Sequence, residues 1–148
     1  MYDQPRANPA QPAMTFEHML ERVRYEGAYP TRERAEEAVR TVLAALGRQL
    51  VGDERVDLAR CLPVEAALAL TAQTPDTERL TGWAFIKDIA TRAGTSPAIA
   101  RWDTGAVFAV VTRLTGPGLL GRILHQLPDG YALLFGQAEL RQQPQRAA

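Results

Sequence analysis

The sequence predicts an all-α protein, two tandem four-helix repeats packed into one compact bundle. Three observations carry this. Apolar residues recur at i, i+3, i+4 and i+7 in segment after segment, the spacing of one helix face. No run of useful length alternates apolar and polar with the period of two that a half-buried strand requires. Core positions of the second half repeat those of the first at a fixed spacing. With 148 residues, 46% of them hydrophobic and 23% charged, the chain is long enough to bury one real core.

Residues 1–13 hold Pro5, Pro9 and Pro12 and no apolar periodicity, which predicts a flexible tail. Residues 141–148 have the same character. Order is expected from Thr15, a helix cap followed by Phe16, Met19, Leu20 and Val23 on one face. Gly27 is the expected stop. Thr31 then caps a longer helix whose stripe is Ala35, Ala38, Val39, Val42, Leu43, Leu46 and Leu50, ended by Gly52. Asp53 is placed to cap a short third helix with Val56, Leu58, Ala59 and Leu62. Pro63 suits the first turn of a fourth, where its missing N–H is not needed. That helix carries Val64, Ala67, Leu68 and Thr71. The first repeat therefore covers residues 14–73.

After a break over Thr74–Thr77 the pattern restarts, giving a second repeat over residues 78–140. A helix through Trp83, Phe85, Ile86 and Ile89 runs to Gly94. Ser96 and Pro97 form a cap and first-turn pair. The helix they open carries Ile99, Trp102, Ala106, Val107, Val110, Val111 and Leu114, and stops at Gly116-Pro117-Gly118. A short helix with Leu119, Leu120, Ile123, Leu124 and Leu127 follows. Pro128 opens the last, with Tyr131, Leu134 and Phe135.

The second to fourth helices of the two halves align without a gap at a spacing of 65 residues. Val42 meets Val107, Leu43 meets Phe108, Leu46 meets Val111, and Leu58 meets Ile123. The corner Leu62-Pro63 meets Leu127-Pro128. The first helices align if Phe16 is paired with Phe85, a spacing of 69. Two such copies are expected to bury their faces against each other, not to form separate domains. Leu62, Pro63, Leu127 and Pro128 are read as structural corners, because a catalytic or binding residue would more naturally occur once. The pattern resembles an uncharacterised, largely bacterial family known as domain of unknown function 2267. It is carried by Phe16 with Val23, the Ala38-Val39, Val42-Leu43 and Leu46 stripe, Leu58-Ala59 with Leu62-Pro63, and their second-half counterparts Phe85, Ala106-Val107-Phe108, Val111, Leu114, Leu127-Pro128 and Leu134-Phe135. The likeness spans roughly residues 15–137. It implies a compact two-repeat helical fold and no particular reaction, cofactor or catalytic residue. The first repeat departs from the pattern over Ala66–Thr71, where Ala, Leu and Thr stand in place of a bulky Leu-Phe ending. A looser corner is expected there.

Composition bears on chemistry mainly by exclusion. Basic and acidic residues balance at 17 each. Residues 16–65 hold 8 basic and 10 acidic groups and residues 66–141 hold 7 and 6, so neither half has a basic footprint for nucleic acid. Sixteen of the basic residues are Arg and Lys87 is the one Lys, which fits a codon bias. No apolar run approaches the roughly 20 residues of a membrane span, no secretion signal opens the chain, and a cytoplasmic location is expected. Cys61 is the single cysteine, excluding an intramolecular disulfide and multi-cysteine metal sites. The two histidines, His18 and His125, flank apolar stripes on different helices, and no cofactor or metal is expected. Glu33, Glu36 and Glu37 lack the Glu-x-x-His pattern of a di-iron bundle. With Arg32, Arg34 and Arg40 they read as a solvated, ion-paired helix face. Cys61 has no neighbouring base in the sequence, and Gly116-Pro117-Gly118 lacks the Lys-Ser/Thr of a phosphate loop. These absences point to a non-enzymatic domain that acts through contacts with another protein or another copy of itself. The alternative is a small-molecule sensor with a cavity between the repeats, lined by Trp83, Phe85, Trp102 and Phe108.

Overall fold

The computed structural model describes residues 14–137. The two expected tails, 1–13 and 141–148, and the last residues of the second repeat lie outside them. The described residues form seven helices and no strand: α1 (Phe16–Gly27), α2 (Arg32–Gly47), α3 (Gly52–Cys61), α4 (Val64–Thr71), α5 (Gly82–Ala93), α6 (Pro97–Gln126) and α7 (Tyr131–Leu134).

The local signals explain most boundaries. The hydroxyls of Thr15, Thr31, Thr81 and Ser96 accept from the backbone N–H three residues on and cap α1, α2, α5 and α6. Helix α1 ends at Gly27 as expected, and Ala28 after it takes the left-handed conformation that Gly94 takes after α5. Helix α2 ends at Gly47 rather than Gly52. Helix α3 has no side-chain cap, so Asp53 does not cap it. Pro63 stands just before α4 as its N-cap, with φ −56°. Pro128 does not open α7, which starts three residues later through Gly130. The break expected at Gly116 is present as a kink inside α6, with φ 78° and ψ 165° at Gly116. No side chain but hydrogen adopts that backbone cheaply.

Helix α6 runs through the centre, packed against α1, α2, α3 and α5, with α7 folded back on it. By length and composition alone α6 is apolar enough to cross a membrane. The stripe that makes it so, with Val107, Phe108 and Val111, is buried in the core. Phe85 meets Tyr131 edge-on at 5.1 Å between ring centres, and Phe108 stacks on Phe135 at 3.9 Å. Leu62 and Leu127 are buried at their corners as expected.

Three expectations of phase fail. Trp102, expected in the core, is 58% exposed, and Trp83 is 62% exposed. Helix α4 buries Ala66 and Leu70, leaving Val64 66% and Leu68 61% exposed. Val56 on α3 also faces outward. The first helices also match at a spacing of 66, not 69. The caps Thr15 and Thr81 correspond, and Met19, Leu20 and Val23 stand where Phe85, Ile86 and Ile89 do, all buried.

Candidate functional site

A compact polar construction lies where the α1–α2 loop meets the N-terminal turns of α6. Gly27 closes α1, and a Cβ there would collide with the Tyr29 ring. Only glycine lets the loop fold flat over that ring. The buried Tyr29 hydroxyl donates to Asp103 Oδ1 at 2.5 Å. Arg34, in the first turn of α2, donates to both oxygens of Asp103 at 3.1 and 3.0 Å. Its guanidinium also lies 4.9 Å from the centre of the Tyr29 ring. One residue earlier on α6, Trp102 Nε1 donates to the Gly27 carbonyl at 2.9 Å. Trp102 and Asp103 are thus pinned to the loop from two directions.

Beside Trp102 opens a groove of about 480 Å³, lined by Glu26, Ala98, Arg101, Trp102, Gly105 and Ala106. Glu26 is committed to Arg113 at 2.7 Å. Arg101 has no acceptor among the described residues. Ile99 and Tyr25 are exposed as well, Tyr25 two residues before Gly27.

The chemistry open to this constellation is narrow. Burial pushes the Tyr29 phenol well above its usual range, and the Asp103 carboxylate that accepts its proton adds to the shift. The phenol is therefore held as a donor. Asp103 is neutralised by Arg34, whose Nη2 reaches both carboxylate oxygens. Neither group is free to act as a base or nucleophile on a substrate, so the pair positions the Trp102 shelf.

A second seam joins α3 to the C-terminal half of α6. Arg122 pairs with Glu54 and Asp57 at 3.3 and 3.1 Å. The Gln126 amide accepts from Val51 N–H at 2.8 Å and donates to the Val51 carbonyl and Glu54 at 3.0 and 2.9 Å. Arg79 donates to the carbonyls of Gln49 and Gln126 at 2.9 and 2.6 Å. A groove of about 440 Å³ runs past Glu54, Arg122 and His125, but its charged side chains already answer each other.

The structure does not gather the residues weighed from sequence into one site. His18 and His125 are both exposed, on α1 and at the end of α6. Cys61 is half-buried, and burial, reinforced by Asp57, pushes its thiol up and away from reactivity. Among the described residues no three His, Cys, Asp or Glu side chains converge as metal ligands. Glu36 and Arg40 form the expected i,i+4 pair at 2.7 Å. Of the four aromatics expected to line one cavity, Phe85 and Phe108 are sealed in the core while Trp83 and Trp102 face solvent. They share no cavity. Sequence reasoning passes over Tyr29 and Asp103 and places Arg34 on a solvated, ion-paired helix face. The signal was there: Asp103 occupies the place of the buried Ala38 in the 65-residue alignment, and a charge on a buried face demands a partner.

Fold and site together define an all-α helical bundle with a fixed aromatic surface shelf. Residues 16–134 match the family described as an uncharacterized conserved protein, DUF2267, and the chain belongs to that family. A comparison with curated proteins returned no match.

Proposed function

We propose that the protein is a non-enzymatic protein-interaction domain whose contact face is the shelf around Trp102. The observation that carries this is a large aromatic held rigid yet left in water: Trp102 is 58% exposed while its indole N–H is already bonded to Gly27. Tryptophan and arginine are among the residues that dominate the energetics of protein interfaces, and Trp102 and Arg101 line the same groove. A side chain fixed before binding loses little freedom on contact, which raises affinity without added area. The balanced charge of the chain supports a protein partner over nucleic acid or an anionic membrane.

A photocrosslinking amino acid at position 102, introduced in cells, tests this directly. Irradiation should join the chain covalently to a protein, whether another species or a second copy. The same group at exposed Arg60 serves as control. Equal labelling from both positions would remove the shelf as an interface.

A further inference from the structure

We infer that one occupant of the Trp102 groove is helix α4 of a second copy, docking by its Val64, Glu65 and Leu68 face. This rests on the groove being a protein-binding face, and it names what binds. The first support is unspent charge. Of the described arginines, all but Arg22 and Arg101 reach a carboxylate, an amide or a backbone carbonyl. Arg101 edges the Trp102 groove. On α4, Glu65 is exposed and likewise has no partner among the described residues. It stands beside Val64 and one turn from Leu68, two exposed aliphatic side chains with nothing over them. A cation beside an aromatic thus faces an anion beside aliphatics, and the same chain carries both halves of the match.

The second support is shape. Ala98, Gly105 and Ala106 floor the groove around Trp102 with the smallest side chains, which leaves room for a helix to seat against the indole. Eight residues of helix rise about 12 Å, the length of α4 and also the distance from Ala98 to Ala106 along α6. Helical phase places Arg101 on one flank of that floor and Ile99 on the other, with Trp102 rising between them. On α4 it likewise places Glu65 to one side of Leu68 and Val64 to the other. In the docked arrangement the Glu65 carboxylate pairs with the Arg101 guanidinium, and Val64 with Leu68 cover Trp102 and Ile99. The contact joins unlike surfaces, so association runs head to tail, into rings or open chains unless two copies satisfy both contacts at once.

Sedimentation equilibrium of the full chain tests this. The weight-average mass should rise above 16.3 kDa with concentration and fall back with added salt. Arg101→Glu and Glu65→Arg should each weaken association by about tenfold or more without changing the melting temperature, since both side chains are on the surface. An equimolar mixture of the two variants should associate again, because the native pair and its mirror both form. A wild-type mass that stays monomeric, or a mixture no better than either variant, would overturn the inference. A crosslink from position 102 to a different protein, alongside a monomeric wild type, would leave the interaction face standing and remove only its self-docking.

Discussion

The corner that closes the first half and the corner that closes the second solve one packing problem by opposite means. In the first, α2 and α4 approach until their backbones nearly touch. A Cβ at Gly47 would lie 2.0 Å from the Leu70 carbonyl oxygen, and the small Ala66 fills the centre. In the second, Thr112 stands where Gly47 does, and its hydroxyl reaches the Phe135 carbonyl, the counterpart of Leu70, at 3.5 Å. The wider gap is filled by Tyr131 and Phe135 in place of Ala66 and Leu70. The cost of the wider gap is helix: α4 has two turns and α7 has one. The looser corner expected over Ala66–Thr71 is therefore the closer one. Small residues there shorten the distance between helices instead of leaving room.

If the second corner depends on aromatic filling, Tyr131→Ala should cost about 3–5 kcal/mol in chemical denaturation. That change removes a ring buried against Phe85 and a hydroxyl that donates to the Leu80 carbonyl at 2.9 Å. A loss below about 1 kcal/mol would show that the aromatics are not what holds this corner.

Backbone approach at the first corner predicts the next effect. Gly47→Ala should destabilise by roughly 1–3 kcal/mol, because α2 and α4 must part to admit one methyl group. The matching change Thr112→Ala should cost less than about 1 kcal/mol, as it gives up a hydroxyl that bonds mainly within its own helix, to the Phe108 carbonyl at 2.8 Å, and keeps the helix spacing. Equal costs would erase the distinction between the two corners.

Arg55 sharpens the comparison further. It has no counterpart in the second half, where Leu120 takes its place. Its guanidinium gathers the carbonyls of Gly47, Leu50, Leu70, Thr71 and Gln73, the open ends of α2 and α4. Arg55→Ala should lower stability by about 1–3 kcal/mol, with faster amide exchange concentrated at the ends of α2 and α4. Uniform exchange across the whole chain would mean the arginine does not cap these ends.

The smallest effect has the opposite sign. Thr104 is fully buried where the first half has Val39, and its hydroxyl has no hydrogen-bond partner among the described residues. Thr104→Val should raise stability by about 1 kcal/mol, seen as a higher melting temperature. A drop would imply that the hydroxyl is satisfied in solution.

Long amphipathic stretches, polar caps and Gly-Pro breaks were legible in the sequence because each leaves a strong local mark. Helices α1, α2 and α5 show this, as does the kink in α6. Phase was not legible in α4. Six of its eight residues are apolar, so periodicity has no contrast from which to set an inward face. Periodicity places Trp83 and Trp102 among the apolar positions of their helices, yet both face solvent. The 65- and 66-residue alignments held the correction. Trp102 falls opposite Glu37 and Trp83 opposite Glu17, both solvent-facing. The Tyr29, Arg34 and Asp103 constellation was beyond local reading, since its members meet across 69 and 74 residues of chain.

That separation also matters during synthesis. Tyr29 and Asp103 lie 74 residues apart, and at roughly 5–20 residues per second a ribosome needs on the order of ten seconds to make the stretch between them. Helix α1 is complete well before α6 exists to cover it. Met19, Leu20 and Val23 have only α2 and the lesser contact of α4 to pack against through that interval. The nascent chain is then most exposed to aggregation while α5 is being made, and the arrival of the first turns of α6 ends that exposure.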